Sequence, residues 1–284
     1  MKNLKSIIVF LMMCVGLQIY AADIVYTKND SVRIEKLIAD AARQPKGSNI
    51  ILYIGKRLEG VPYVAQTLER NKTEKLQVNS TELDCTTFVE NVLAMYLCVK
   101  NQQLKFKDFC HYLRMVRYDK GEVSYPTRLH YFSSWIMSNT EKGFVKEVQG
   151  PVPPYSATQT VLVNFMTKHT ANYPMLKDNK AFIKKIGKAE KAVSGKTFKF
   201  IPSKMLKNVK ALRKGVKNGD IIALTTKKAG LDISHVGYAI WHKDGLHLLN
   251  ASSLAHKVVD DKETLYRYSQ KHPSMTGIRV IRVL

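Results

Sequence analysis

The sequence predicts an α+β fold in which helices come first along the chain and a small antiparallel sheet comes last. At several places between residues 31 and 192, apolar residues recur at the three- and four-residue spacing of helices that bury one face. Beyond Gly219 the chain changes to short apolar runs, and Asp244-Gly245 is a typical hairpin turn between two of them. An early helix can therefore pack against a sheet formed late in the chain.

Caps, breakers and periodicity define the individual elements. The first helix begins near Ser31, a favourable N-cap residue, and the second ends before Gly60, which suits a helix C-terminus. The prolines within residues 150–154 exclude a helix there and predict a boundary or a loop. The predicted helices are 31–43, 49–58, one that begins at Cys85, 104–118, 158–169 and 178–192, and the predicted strands are 221–224, 234–241, 246–251 and 277–283.

Residues 1–22 have the layout of a signal peptide. Lys2 and Lys5 precede an apolar run at residues 6–20, and two alanines follow as a cleavage site. The sequence has no second apolar segment of about 18 residues, so stable membrane insertion after cleavage is not expected. We expect an exported, periplasmic protein. Anchoring through Cys14 as a lipoprotein cysteine is a less favoured alternative, because two bulky methionines precede it.

The remaining chain, 23–284, is long enough for a single catalytic domain, with an inserted helical and loop region expected at about 120–215. The formal net charge is +22, and removal of Lys2 and Lys5 with the signal peptide leaves +20. Such a charge attracts polyanions. The lysines are nevertheless spread along residues 100–214 without an arginine-rich arm or an aromatic and basic repeat, so nucleic acid is not an expected partner.

The stretch around Cys85 is the strongest candidate for chemistry. Asp84 is a favourable N-cap, so Cys85 lies in the first turn of a helix whose buried face begins at Phe88 and Val89. The positive end of a helix favours a thiolate, and the thiolate is the nucleophilic form of cysteine. A small core residue is the alternative interpretation of any single cysteine.

The other cysteines of the expected mature chain are Cys98 and Cys110. Cys85 and Cys98 lie on one predicted helix and are separated by about 20 Å at 1.5 Å per residue, which is too far for a disulfide. A disulfide between Cys98 and Cys110 is compatible with a helix-loop-helix turn. In either case Cys85 is left as a free thiol in a protein expected to be exported.

His235 is the best candidate base because it lies within an otherwise apolar strand, although a hydrogen-bonded core histidine is the alternative. The next strand offers His247 and Asn250 as orienting partners, and these two residues lie on opposite strand faces. With a two-residue Asp244-Gly245 turn, Asn250 shares the face of His235 and His247 does not. That register leaves Asn250 about 13 Å along the strand from His235, so a bulge or a register shift is required.

Five segments together resemble the NlpC-type cell-wall cysteine peptidases in their order and approximate spacing. They are Gly60-Val61-Pro62-Tyr63, Leu83-Asp84-Cys85-Thr86-Thr87-Phe88-Val89, Asn218-Gly219-Asp220-Ile221-Ile222, Ser234-His235-Val236-Gly237-Tyr238 and Asn250-Ala251-Ser252. The resemblance implies a papain-like fold in which a nucleophile helix packs on the sheet. It also implies that Cys85 is the nucleophile, His235 the base and Asn250 the third polar residue.

Departures from the usual pattern point to one branch of this superfamily. The sequence has Ala65-Gln66, Thr86-Thr87 and Asn250 where the superfamily usually has a glycine pair, serine-glycine and a third histidine. The Arg-Leu-His-Tyr-Phe-x-x-Trp pattern at residues 128–135 resembles the N-acetylmuramoyl-L-alanine amidase branch. Aromatic faces suit sugar rings and basic groups suit stem-peptide carboxylates, although the same aromatic residues would also suit a core. The expected substrate-binding residues are Tyr63, Asp84, Thr86, Arg128, His130, Tyr131 and Trp135.

The resemblance therefore implies a cysteine-dependent hydrolase that cleaves the amide between N-acetylmuramic acid and L-alanine, with muropeptides as its partners. No cofactor is expected, and the histidines lack the spacing typical of a metal site. Two enzymatic alternatives are a γ-D-glutamyl-diamino-acid endopeptidase and an acyltransferase that uses the same thiol. A non-catalytic cell-wall-binding module is the alternative outside enzymes.

Overall fold

The structure of the chain is a computed structural model that describes residues 24–150 and 155–284. The predicted signal peptide, Cys14 within it and most of the proline-rich stretch lie outside the described residues. Within the described ranges the fold is α+β, as predicted, with the longest helices early and the longest strands late in the chain. No helix in either range is both long and apolar enough to cross a bilayer.

The helices of the described residues begin and end close to most of the predicted positions. Helix α1 starts earlier than predicted because Thr27, rather than Ser31, is its N-cap. Asp30 N–H donates to Thr27 Oγ1 at 3.1 Å, and Asp30 Oδ2 accepts from Thr27 N–H at 2.9 Å. The helices are α1 (Lys28–Ala42), α2 (Ile50–Arg57), α3 (Cys85–Lys100), α4 (Phe106–Arg117), α5 (Phe132–Glu141), α6 (Phe165–Lys168), α7 (Lys180–Val193), α8 (Val209–Gly215) and α9 (Leu265–Lys271).

The strands form a larger sheet than the small one expected. They are β1 (Ile24–Val25), β2 (Leu76–Gln77), β3 (Val145–Val148), β4 (Ala157–Thr160), β5 (Thr197–Pro202), β6 (Ile221–Thr226), β7 (Ile233–Trp241), β8 (Leu246–Ser252), β9 (Lys257–Asp260) and β10 (Met275–Val283). Strands β1 and β2 form a short parallel pair. The others form one sheet in the order β4-β5-β10-β6-β7-β8-β9, and β3 pairs with the second half of β10.

The helix predicted at 158–169 is wrong. Strand β4 occupies the start of this segment and pairs antiparallel with β5, and only α6 is helical. Val161 and Val163 are buried, whereas Leu162 between them is 65% exposed. This alternation has a period of two residues, which is typical of an extended chain and not of a helix.

The inserted region expected at about 120–215 contains both helices and strands. Strands β4 and β5 of this region extend the main sheet. It has its own apolar core, which includes Tyr125, Val161 and Ile186. Strand β5 connects it to β10 at Gly277, where a Cβ atom would lie only 2.1 Å from Ile201 O. A glycine is therefore required where the insertion meets the central strand.

Helix α3 packs on one face of the sheet, directly against β7. The rings of Phe88 and Tyr238 are fully buried and meet edge to face with centroids 5.9 Å apart. Tyr238 also donates its hydroxyl hydrogen to Val89 O at 2.8 Å. Because Val89 lies one turn after Cys85, these contacts determine where Cys85 lies relative to β7.

Cys98 and Cys110 are free, buried thiols in the structure, and no disulfide joins them. Burial raises the pKa of both thiols, that of Cys110 to about 12. They therefore act as small apolar residues between α3 and α4.

A buried ion pair joins α3 to α4. Arg117 Nε lies 2.6 Å from Glu90 Oε2, and Arg117 Nη1 donates to Gln77 O at 2.7 Å. Burial raises the pKa of Glu90, and the neighbouring guanidinium opposes that shift. The pair is stable only while both partners are present, because each charge compensates for the lost hydration of the other.

We expect Arg117→Met to lower the free energy of unfolding by about 3–5 kcal/mol, because Glu90 is then left buried without a counterion. Urea unfolding followed by circular dichroism measures this change. Arg43→Met is the matched control, since its ion pair with Asp40 lies at the surface, and its effect should be much smaller. Equal small losses for both variants would contradict the stabilising role of the buried pair.

Candidate active site

Cys85 is held in place by the cap of α3. Asp84 Oδ1 accepts a hydrogen bond from Thr87 N–H at 2.8 Å, and Thr87 Oγ1 accepts one from Asp84 N–H at 2.9 Å. This reciprocal capping box confirms the predicted N-cap. Cys85 is a half-buried free thiol at this end, and the backbone of Val236 on β7 lies close enough to lower the pKa of the thiol. The cysteine therefore lies next to the strand that carries His235.

His235 lies on β7 beside a bulge. His235 pairs with Leu224 of β6, and the next pair joins Thr225 to Ile233. Ser234 is therefore the additional residue of β7 that forms the bulge. A bulge of this kind bends a strand and redirects its side chains. His235 Nε2 lies 2.8 Å from Asn250 Oδ1 on β8.

The predicted face of Asn250 is confirmed, although the predicted two-residue turn is wrong. Trp241 pairs with Leu246, so the loop holds residues 242–245, and His242 N–H donates to Gly245 O at 3.0 Å within it. The resulting register places Asn250 opposite Gly237. Gly237 is two residues from His235 along β7, so Asn250 and His235 lie on the same face of the sheet. The register is therefore shifted by two of the four residues that the sequence required, and the Asn250 side chain spans the remaining distance diagonally.

Gly237 leaves the space that Asn250 occupies. A Cβ atom at Gly237 would lie 2.7 Å from Asn250 Cβ, and 2.8 Å from both Leu248 Cγ and Leu249 O. Contacts this short are repulsive, and the backbone of β8 cannot move aside without disturbing its pairing. The absent side chain at Gly237 thus allows Asn250 to reach diagonally to His235.

The hydrogen bonds of Asn250 determine which ring nitrogen of His235 carries the proton. Asn250 Nδ2 donates to Asp261 Oδ2 at 2.8 Å and to Leu248 O at 3.1 Å. Both amide hydrogens are therefore used, so Asn250 Oδ1 faces the ring and accepts from His235 Nε2–H. His235 Nδ1 is then the unprotonated nitrogen, which is the one that can accept a proton.

Burial keeps both reacting groups neutral. It raises the pKa of the Cys85 thiol to about 12, and the Asp84 carboxylate adds to this shift. It also lowers the pKa of His235, although the hydrogen bond that the ring donates to Asn250 and the charges of Asp261 and Asp84 oppose that change. Burial thus favours the neutral thiol and the neutral imidazole, and it opposes the thiolate that the helix end favours.

Cys85 and His235 line one pocket of about 200 Å³. Helix α3 and β7 form one side, and the inserted region supplies most of the other side. The remaining lining residues are Thr86, Leu129, His130, Tyr131, Phe132, Phe165, Met166, Tyr173, Leu231, Asp232, Ile233, Ser234 and Val236. Aromatic rings therefore lie in the same pocket as the thiol and imidazole.

Three of the predicted substrate-binding residues, Thr86, His130 and Tyr131, line this pocket. Burial, together with the nearby charge of Arg128, lowers the pKa of His130 to about 3, so its ring is neutral. Tyr131 donates its hydroxyl hydrogen to Glu190 Oε1 at 2.7 Å and accepts from Met166 N–H at 3.0 Å. Its hydroxyl is thus occupied, and the residue reaches the pocket with only 5% of its surface exposed.

Tyr63 lies beside Cys85 without lining the pocket. Its segment forms a bridge to Leu83, and Tyr63 N–H donates to His256 O at 2.9 Å. Burial raises the pKa of Tyr63 to about 12, and the neighbouring Cys85 and Asp84 contribute to the shift. Asp84 serves as the helix cap described above.

Arg128 and Trp135 do not line this pocket, so their contact with substrate stays a prediction. Arg128 is buried and forms ion pairs with Glu69 and with Glu74, the latter at 3.3 Å. Trp135 is fully buried and stacks on Phe132 with ring centroids 4.8 Å apart. Both side chains stabilise the wall of the pocket from behind, which is the core alternative that the sequence left open.

Sequence reasoning missed Asp261, Phe165, Tyr173 and Asp232. Asp261 follows β9 and reaches Asn250, and Asp232 Oδ2 accepts from Ser133 N–H at 2.6 Å at the pocket. No motif or periodicity distinguishes these residues, since they meet the site only through tertiary packing. Among residues 24–150 and 155–284, no group of three or more His, Cys, Asp or Glu side chains is placed to hold a metal ion.

The model of one protein family matches residues 53–278, which is most of the chain. The family is AmiA-like and is described as N-acetylmuramoyl-L-alanine amidase-like. The chain belongs to this AmiA-like family. No curated protein matches it.

Solved structures resemble this AmiA-like protein over most of its length. An N-acetylmuramoyl-L-alanine amidase from Bacteroides uniformis is 34% identical with a TM-score of 0.76, over 89% of this chain and 99% of that one. A Bacteroides fragilis protein named as a candidate xylanase is 41% identical with a TM-score of 0.74, over 81% of this chain and 98% of that one. A Legionella pneumophila protein, 24% identical with a TM-score of 0.67 over 90% and 95% of the two chains, shares the fold.

We expect the alkylation rate of Cys85 in this AmiA-like protein to rise steadily with pH and to reach no plateau between about pH 6 and 9. The reason is the raised pKa of the thiol, which keeps the thiolate a minor form over that range. Iodoacetamide labelling followed by peptide mass spectrometry measures the rate, and the buried Cys98 and Cys110 serve as internal controls. A plateau that begins at acidic pH would indicate a stable thiolate and would contradict the neutral pair.

We expect Gly237→Ala to lower the free energy of unfolding by about 1–3 kcal/mol, because the added methyl group collides with Asn250 and β8. Chemical denaturation measures the loss. Gly150→Ala is the matched control, since no atom lies within 4 Å of a Cβ built there. If both variants were as stable as the parent chain, the close approach of β7 and β8 would be wrong.

Proposed function

We propose that this AmiA-like protein hydrolyses the amide between N-acetylmuramic acid and L-alanine in peptidoglycan fragments, with Cys85 as nucleophile. The observation that carries the proposal is the meeting of Cys85 and His235 in one pocket, with Asn250 bonded to the ring of His235. Membership of an amidase-like family, and similarity to structures named as amidases, supports the substrate class.

The proposed reaction starts from the neutral thiol and imidazole. As the Cys85 sulfur attacks the lactyl carbonyl carbon, the thiol proton passes to His235 Nδ1. The imidazolium gives that proton to the leaving amine of L-alanine, and water then hydrolyses the thioester with His235 as base. The first-turn backbone N–H groups of α3 have no partners within the helix, and Cys85 N–H is the proposed donor to the developing oxyanion.

The pocket lining suits a muropeptide. The rings of Tyr131, Phe165 and Tyr173 provide apolar faces for a sugar, and the buried Asp232 provides a hydrogen-bond acceptor for hydroxyl or amide groups. The nucleophile helix packed on an antiparallel sheet also supports a papain-like, NlpC-type fold as part of the proposal. Export to the periplasm remains our proposal from the layout of residues 1–22.

The pocket does not favour glycoside hydrolysis, despite the name of the Bacteroides fragilis relative. Glycosidases of the usual kind place two carboxyl groups on either side of the scissile bond. Asp232 is the single carboxylate among the residues that line this pocket, and Ser133 N–H holds one of its oxygens. A thiol next to an imidazole instead suits acyl transfer to water.

The deciding experiment is mass spectrometry of a defined disaccharide-tetrapeptide muropeptide incubated with the mature protein. We expect free disaccharide and the complete stem peptide as products. Cys85→Ala should lower the rate at least about 1,000-fold, because the covalent step is lost. Cys110→Ala is the control, since Cys110 is a buried thiol of α4 outside the pocket.

Other products would identify the alternatives. Release of a sugar that keeps L-alanine and D-glutamate, with a shortened peptide, would assign the γ-D-glutamyl endopeptidase. Absence of any Cys85-dependent product from this muropeptide and from larger wall fragments would overturn the hydrolase proposal and leave a wall-binding module.

A further inference from the structure

Asp261 is tied to β8 through three separate contacts. Its carboxylate Oδ2 accepts from Asn250 Nδ2 at 2.8 Å, and its backbone N–H donates to Leu248 O at 3.0 Å. The ring of His247, on the other face of β8, bonds to Asp261 O at 2.7 Å. The loop that follows β9 is therefore held against β8 at the point where Asn250 projects toward His235.

We propose that Asp261 is a positioning residue that holds the side-chain amide of Asn250 in the single orientation that makes His235 a base toward Cys85. This inference rests on the proposed function only in taking Cys85 and His235 as the reacting pair. The side-chain hydrogen bond of Asp261 goes to Asn250, and Asp261 sets the tautomer of His235 through that amide, while its charge also raises the pKa of the ring.

The orientation matters because the two ends of an amide have opposite hydrogen-bonding character. In the observed orientation, Asn250 Oδ1 accepts from His235 Nε2–H, which leaves Nδ1 free to take a proton. A half-turn of the amide would instead present an N–H to Nε2. The ring would then carry its proton on Nδ1, and it could no longer accept one from the thiol.

Asp261 is the group that makes the half-turn unfavourable. The turned amide would place Asn250 Oδ1 against the Asp261 carboxylate, so two acceptors would meet at about the observed 2.8 Å. Leu248 O alone, at 3.1 Å, is a weaker restraint because it bonds to only one amide hydrogen. Loss of the carboxylate therefore permits both amide orientations, and with them both tautomers of His235.

The neighbouring Asp260 provides a matched control. It ends β9, and its carboxylate contacts His242 Nε2 at 2.8 Å and Lys56 Nζ at 3.6 Å. Neither of these two contacts involves the side chain of Asn250. A substitution at Asp260 therefore removes a carboxylate from the end of β9, and it leaves the hydrogen bond between Asp261 and the Asn250 amide in place.

The test combines nitrogen-15 NMR of the His235 ring with steady-state kinetics on the full mature chain. Wild-type protein should show the tautomer protonated at Nε2. In Asp261→Ala we expect a substantial fraction protonated at Nδ1 and a kcat reduced about 10- to 100-fold, with KM changed less than about 2-fold, because fewer molecules hold a competent base. Asp261→Asn keeps an oxygen acceptor and should restore most of kcat, and Asp260→Ala should match wild type in both measurements.

An unchanged tautomer in Asp261→Ala would overturn the proposal, even if activity fell, because the loss would then be structural. Should Asp261→Ala fail to fold, Asp261→Ser replaces it, since the shorter hydroxyl cannot reach the amide at hydrogen-bond distance. If the wild-type protein does not cleave the muropeptide, the NMR comparison alone still decides the role of Asp261. Failure of the proposed substrate and failure of this inference are thus distinguishable.

Discussion

The contact between α3 and β7 is the constraint on which the rest of the site depends. The proposed nucleophile and base belong to segments that are about 150 residues apart in sequence, and the buried pair of Phe88 and Tyr238 brings them together. The hydrogen bond from Tyr238 to Val89 O adds direction to an otherwise apolar contact. Since protein interiors are tightly packed, a change in either ring would move the thiol relative to the imidazole.

Much of the arrangement was predictable because it depends on local periodicity. The cap at Asp84 and the buried face of its helix follow from spacing alone, and both are present. The face of Asn250 was also predictable, because alternation along a strand survives a shift of register by two residues in the pairing. The face on which Asn250 lies is thus the same for the predicted two-residue turn and for the observed loop, which is longer than two residues.

The unpredicted parts depend on tertiary environment. Desolvation, which a sequence does not display, raises the pKa of Cys85 and opposes the effect expected from the helix end. Trp135 has an aromatic side chain of the kind that binds sugars, but the structure buries it in the core. Asp261 differs from the adjacent Asp260 in no local pattern, and only the fold shows which of the two reaches Asn250.

The inserted region has a consequence for how such proteins diversify. The thiol and imidazole come from α3 and β7, whereas Tyr131, Phe165 and Tyr173 come from a stretch with its own core. In the proposed reaction, bond cleavage and substrate selection would therefore be encoded by separate portions of the polypeptide. Substitutions within the insertion would then change which molecules are accepted while Cys85 and His235 keep their geometry, so new specificities would evolve without a change in the proposed reacting groups.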